Sequence, residues 1–261
     1  MSSLLLTHHN HTIWAEINRP ESRNAINFDV MAELENLLDH IEQTPEVRVL
    51  VLSGTHNDYF ATGGDLKEFA GLKSADEGYQ MALRMANILK RIEDGHFWSI
   101  ACINGDAFGG GIEMMLAHDF SIASKTAKLS FTQGKFFLPP GWGGLTRLIE
   151  RVGRSRALDW LGSQATVDSN LAFTANLIND VSITADLRNN TWGWAEKLSS
   201  LERELIGRLK DGSAESRRSD RHTSMASEIR EFSYFWADQR HHDAVKTFLN
   251  RKKSGSNKRS S

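Results

Sequence analysis

Apolar positions along this chain alternate between two periods. Ile13, Ala15 and Ile17 interleave with Trp14, Glu16 and Asn18, the two-residue repeat of a strand, and Arg19-Pro20 ends it. Val30, Met31, Leu34, Leu37, Leu38 and Ile41 recur at three and four residues, which predicts an amphipathic helix closed by Pro45. Val47 to Leu52 is a β-branched run expected to be a buried strand. Asp65 with Glu68 reads as an N-cap and its reciprocal partner, so a short helix is predicted from Leu66. Met81, Met85, Ile88, Leu89 and Ile92 mark a longer helix. A strand at Trp98–Ile103 precedes a glycine turn and a helix over Ile112–Ala117. Strands at Phe120–Ala123 and Leu129–Phe131, then helices at Gly143–Val152 and Ser155–Leu161, continue the alternation to about residue 182. This order predicts α/β units with mainly parallel strands.

Beyond residue 184 the strand pattern stops. Trp192, Trp194, Ala195, Leu198, Leu201, Leu205, Ile206 and Leu209 suggest helix, as do Ile229–Trp236 and Ala244–Leu249, with a polar link over Asp211–Thr223 between them. The chain therefore divides into an α/β core over residues 1–190 and a helical region over 191–261. No internal repeat is visible.

Composition narrows the class. With 261 residues, 40% apolar and 25% charged, the chain has ordinary globular proportions and room for one large domain. A net charge of −2 provides no field for nucleic acid or a membrane surface. The single cysteine, Cys102, has no partner for an internal disulfide and reads as a small buried hydrophobe in a reducing compartment. No stretch is apolar enough to span a bilayer, and Leu4-Leu5-Leu6 is no signal-peptide core, so a cytoplasmic protein is expected. The basic, serine-rich end from Arg251 to Ser261 reads as a frayed, solvated tail, although a nucleotide phosphate would use the same charge.

Two segments stand out from this background. Ala107-Phe108-Gly109-Gly110-Gly111-Ile112-Glu113 places three glycines between a strand and a helix, with Glu113 in the first helical turn. Phe60-Ala61-Thr62-Gly63-Gly64-Asp65-Leu66 repeats the order of strand, glycines and helix start. Glycine lets a backbone approach a bound group, and a helix start presents unpaired N–H groups. The phosphate-binding signature G-x-x-x-x-G-K-[ST] is absent, as is the dinucleotide fingerprint. One such loop alone could be a tight turn. Two suggest paired backbone donors for a developing oxyanion, beside a carboxylate.

The ordered set Arg19-Pro20 to Asn24-Ala25, Phe60 to Leu66, Asn104-Gly105, Gly109-Gly110-Gly111, Asp119, and Pro139-Pro140-Gly141-Trp142-Gly143-Gly144 to Arg147-Leu148 resembles the crotonase (enoyl-CoA hydratase/isomerase) superfamily. The resemblance spans about Arg19 to Gly162. It implies a crotonase-like spiral of ββα units and a helical C-terminal trimerisation region, hence a homotrimer or a dimer of trimers. It also implies an acyl-CoA thioester as substrate, with coenzyme A as part of that substrate, no separate cofactor and no metal. The thioester oxygen would be held by the N–H groups of Gly64 and Gly110. Coenzyme A would lie along Arg23–Ala25 and Ala61–Leu66, which draws in Arg23, Ala25, Ala61, Gly63, Asp65 and Leu66. Phe248 and Arg251 would reach its nucleotide end.

One departure matters. The family's hydratases use two glutamates. Glu113 matches the first, and gapless counting through Asp119 to Pro140 puts Gln133 at the second. Glutamine neither gives nor takes a proton near neutrality, so acid–base work falls on one carboxylate or elsewhere. Hydration or isomerisation of an enoyl-CoA, a lyase-type activity, is the leading expectation. The alternative is decarboxylation of a substituted malonyl-CoA, which needs the enolate cradle but no strong base. The Pro140–Gly144 run resembles the ethylmalonyl-CoA decarboxylase branch. A non-catalytic member binding acyl-CoA or RNA is the rival from another class, with RNA disfavoured by the absence of basic and aromatic interleaving.

Plainer readings stand beside several of these. Trp142 would either wall the acyl pocket or be a buried aromatic at a helix start. Glu113 could complement a helix dipole. Asp65 reads as a cap more than a catalyst, and Asp119 as a structural pair at a strand start. His118, His241 and His242 read as surface or packing residues without metal spacing.

Overall fold

The computed structural model describes residues 2–215 and 221–256, with side chains through residue 214 and from 225 to 250. A hairpin of β1 (Leu4–His9) and β2 (Thr12–Ile17) begins the chain. α1 (Phe28–Gln43), β3 (Val49–Gly54), β4 (Tyr59–Ala61), α2 (Leu66–Phe69) and α3 (Ala75–Asp94) follow. Next come β5 (Trp98–Ile103), β6 (Asp106–Phe108), α4 (Gly110–Leu116), β7 (Phe120–Ser124) and β8 (Lys128–Ser130). α5 (Gly144–Val152), α6 (Arg154–Gly162), β9 (Thr166–Asp168), α7 (Ser169–Thr174) and β10 (Asp180–Ser182) complete the α/β part. α8 (Leu187–Ser199), α9 (Arg203–Glu215), α10 (Arg221–Trp236) and α11 (Gln239–Ser256) form the helical remainder.

The strands form two sheets, ordered β1-β2-β3-β5-β7-β10 and β4-β6-β8-β9. Among the described residues, only the β1–β2 and β8–β9 pairs are antiparallel. Each turn of the spiral gives one strand to the larger sheet, the next to the smaller, and then helix: β3 and β4, β5 and β6, β7 and β8. This is the ββα architecture expected from the motif order.

The centre of the larger sheet is buried on both faces, which is why β3 reads Val-Leu-Val-Leu without polar alternation. Leu50, Leu52, Ala101 and Ile103 join the main core with α1 and α3. Val51, Ile100, Cys102 and Ile122 face the other way, under Leu187 and Ala195 of α8. Cys102 is 1% exposed, and burial pushes its thiol up to about 12, so it behaves as the expected buried hydrophobe.

Several expectations need correction. β1 was not foreseen because five of its six residues are exposed, leaving no buried period to read. β6, of three residues, is too short to show one. Asp65 does cap α2, accepting from Lys67 N and Glu68 N, but Glu68 does not reciprocate: its Oε1 accepts from Phe28 N at 3.0 Å. The reciprocal capping box is instead Ser74 with Glu77, at the start of α3. The predicted polar link over 211–223 is helical at both ends, since α9 runs to Glu215 and α10 starts at Arg221. Residues 216–220, between these two helices, lie outside the described residues. α8 crosses residue 190, and α11 continues through Ser256 into the segment expected to fray. Among the described residues, no helix is long and apolar enough to cross a membrane.

Candidate active site

Both glycine loops leave the carboxyl ends of adjacent parallel strands. β4 pairs with β6, Tyr59 opposite Asp106 and Ala61 opposite Ala107. In α/β sheets ligands bind at such ends. Gly109 has φ 50° and ψ −113°, a backbone state that residues with a Cβ rarely adopt, and this turns the chain sharply into α4. A Cβ on Gly111 would lie 2.1 Å from the Ala61 carbonyl oxygen, so α4 starts hard against β4. A Cβ on Gly63 would lie 2.8 Å from the Gly110 nitrogen, so the two loops touch. Ile26 N donates to Gly63 O and Asp65 N to Ile26 O, both at 2.8 Å, which locks the amides flanking Gly64. The N–H groups of Gly64 and Gly110 themselves have no acceptor among the described residues.

Glu113 lies one turn into α4 and is 4% exposed. Its Oε2 accepts from Trp142 N at 2.7 Å, Gly144 N at 3.1 Å and Gly141 N at 3.2 Å. Its Oε1 accepts from Gln133 Nε2 at 3.2 Å. The Pro140–Gly144 turn therefore wraps its amides around one carboxylate and continues directly into α5. Burial pushes the Glu113 carboxyl above its ordinary range, and these donors pull it back. Gln133 opens a short 3-10 turn after β8, and its Oε1 is buried without a partner among the described residues.

Gly63, Gly64, Leu66, Gly110, Glu113, Gln133 and Trp142 all line one cavity of about 80 Å³. Trp142 is a buried aromatic that lines this cavity. It is 4% exposed, and its ring packs on Gly110, where a Cβ would lie 2.4 Å from Cζ3. Phe69 and Met81, with Phe232 and Trp236 from α10, close the remaining walls. A larger cleft of about 770 Å³ shares Leu66, Phe69 and Trp236 with this cavity and runs out between α2 and α11 past Lys67, Lys73 and Lys246.

The remaining predicted residues fall around this centre. Ala61 is fully buried under Gly111. Asp65 turns away to cap α2 and pairs with Arg19 at 2.8 Å. Arg23 is exposed, its guanidinium 5.3 Å from the Tyr59 ring centre, and its carbonyl accepts from Thr62 Oγ1. Ala25 is buried, and its carbonyl accepts from Arg19 Nη1 at 2.6 Å. Phe248 sits on α11 with its ring 5.4 Å from that of Phe136, a residue of the cavity lining, and does not itself line the cavity. The Arg251 side chain lies outside the described residues.

Asp119 is the structural pair expected, accepting from Ser99 N and Oγ and from Lys210 Nζ. His118 is a packing residue, 1% exposed, its Nδ1 on Met114 O and its ring pushed down to about 4 by burial. His241 and His242 line the outer cleft. Among the described residues, no group of three or more His, Cys, Asp or Glu could hold a metal ion.

The sequence reading missed α10 as a wall of the site. Glu228, Phe232 and Trp236 recur every four residues along it, a one-face stripe that was legible, but nothing local tells where the helix docks.

A family model described as enoyl-CoA hydratase/isomerase matches residues 8–258. The chain is 27% identical over 237 residues to the short-chain-enoyl-CoA hydratase of Clostridium acetobutylicum, covering 91% of this chain and 90% of that protein. It is 28% identical over 238 residues to the crotonyl-CoA hydratase of Syntrophomonas wolfei, covering 91% of both. Among solved structures it is similar to the enoyl-CoA hydratase of Bacillus anthracis, with a TM-score of 0.80, 25% identity, and coverage of 95% of this chain and 96% of that one.

Proposed function

We propose, for a chain that belongs to the enoyl-CoA hydratase/isomerase family, that this site hydrates a short enoyl-CoA by stabilising a thioester enolate. The observation that carries the reading is Glu113, a buried carboxylate facing a cavity beside two glycine N–H groups that have no acceptor among the described residues. In the forward step Glu113 takes a proton from water as the hydroxyl adds to the β-carbon. The electron pair of the double bond moves to the thioester oxygen, which the N–H groups of Gly64 and Gly110 receive. Donors placed in this way are worth roughly 2.7–4 kcal/mol each. Glu113 then returns its proton to the α-carbon.

One carboxylate serves both steps, because Gln133 exchanges no proton. The unpartnered Oε1 of Gln133 is suited to orient the water or, after the amide turns over, to accept from protonated Glu113. The small aromatic-walled cavity favours a short acyl group, in keeping with the names of the two hydratase relatives. The adjoining cleft is within the size range of small-molecule sites and carries lysines suited to the phosphates of coenzyme A.

A second reading is favoured by one observation: Glu113 is the only carboxylate lining the cavity among the described residues. Decarboxylation of a substituted malonyl-CoA breaks a carbon–carbon bond and needs no base. The same enolate cradle would hold the product of that step.

Purified protein supplied with a short enoyl-CoA is expected to remove the absorbance of the conjugated double bond. Carbon dioxide release from methylmalonyl- or ethylmalonyl-CoA, without hydration, would favour the second reading. Failure with both substrates would defeat the enolate-stabilising role.

A further inference from the structure

Glu228 is a buried carboxylate that the reaction above does not use. It comes from α10, is 7% exposed, and ends on the first turn of α5. Its Oε1 accepts from Leu145 N at 3.1 Å, and its Oε2 from Thr146 N at 3.2 Å and Thr146 Oγ1 at 3.3 Å. Glu113 takes the amide just before, Gly144 N. Successive N–H groups of one helix end thus hold two buried carboxylates, from α4 and from α10. The described charged groups acting on Glu228 are Glu113 and Arg147 of α5. Arg147 is in turn paired with Glu93 of α3 through Nε at 3.1 Å and Nη2 at 2.9 Å.

Two like charges this close in a buried setting do not both ionise readily, so the pair titrates as a unit. The donor inventory decides which member carries the proton. Glu113 faces three backbone N–H groups, which cannot turn around to accept, and the Gln133 amide, which donates to its Oε1. Glu228 faces two, plus the Thr146 hydroxyl, which rotates and accepts as readily as it donates.

We propose that Glu228 is a positioning residue that carries the proton of this buried pair, keeps Glu113 ionised at rest, and by its own ionisation strengthens the hold of Glu113 on a captured proton. This rests on the reading of Glu113 as the acid–base group. Burial, and then the charge of Glu113, push the Glu228 carboxyl up to about 7, which places the change within the working range.

The test is difference infrared spectroscopy of the full chain, without substrate, across pH 5 to 9. Wild type should show a neutral carboxylic acid band that disappears with a midpoint near 7. Glu228→Gln should remove the band. Glu113→Gln should keep it but lower its midpoint by about one pH unit, because the like charge is gone. In turnover, the inflection near pH 7 should vanish in Glu228→Gln. A band that survives Glu228→Gln, or a midpoint unmoved by Glu113→Gln, overturns the proposal. If Glu228→Gln does not fold, the comparison of wild type with Glu113→Gln decides alone. The infrared readout needs no turnover, so a chain that titrates as expected yet processes no acyl-CoA would defeat the proposed function and not this pair.

Discussion

Replacing Glu113 by glutamine separates chemistry from architecture at this site. The glutamine carbonyl can take the place of Oε2 and keep all three backbone donors, at 2.7, 3.1 and 3.2 Å. The new amide nitrogen then faces Gln133 Nε2, a donor against a donor at 3.2 Å. Turning over the Gln133 amide removes that conflict, because its Oε1 is at present without a partner among the described residues. What is lost is charge. A hydrogen bond to an ionised group contributes about 1.5–3 kcal/mol and a neutral one about 1 kcal/mol. Weakening three of them costs about 1.5–6 kcal/mol, most of it offset by no longer burying a negative charge beside Glu228.

The expected net change in stability is therefore within about 2 kcal/mol, a shift in melting temperature of roughly 4–8 °C at most for a chain of this size. Loss of general acid–base catalysis, by contrast, should lower turnover of a short enoyl-CoA by about 10²–10⁴-fold. Thermal unfolding and loss of the enoyl absorbance measure the two independently. A folded variant that hydrates as fast as wild type would refute the role given to Glu113. A variant that loses hydration but releases carbon dioxide from a malonyl-type thioester at the wild-type rate would identify the base-free reaction.

Three further outcomes are expected. In Gly110→Ala the new Cβ, 2.4 Å from Trp142 Cζ3, should displace the ring, destabilise the fold by about 1–3 kcal/mol and lower kcat more than it raises KM; unfolding and steady-state kinetics check this. Gln133→Glu would set a second carboxylate about 3.2 Å from Glu113 Oε1, so hydration should rise and acquire a new pH-dependent limb from the shared proton, read in a pH–rate profile. Glu228 is raised from an ordinary 4.5 to about 7, so its contribution to stability is complete below about 4.5 and lost as pH rises through 7. At about 1.4 kcal/mol per pH unit this is at most about 3.5 kcal/mol. His118, lowered to about 4, acts in the opposite sense, losing stability as pH falls below 6.5. The measurement is therefore the wild-type stability curve minus that of Glu228→Gln, by denaturant unfolding, and a flat difference would contradict the assignment.

Much of this protein was legible from local order along the chain. Period and turn chemistry sufficed for α1, β3, β5 and α3, because each buries a regular stripe that one sequence window contains. The two glycine loops, Glu113 and the glutamine at position 133 were legible too, since backbone approach and the absence of an ionisable group are properties of single positions. Tertiary structure alone decided what these residues meet. β1 hides its pairing behind an exposed surface, and Glu68 finds Phe28 N rather than its own helix cap. The donors that saturate Glu113 come from residues 141–144, and the second buried carboxylate arrives on α10, whose docking against α3 and α5 no nearby residue encodes. Periodicity reports which face of an element avoids water. Which other element covers that face, and so which charges share one buried space, is settled only when distant segments compete to exclude water together.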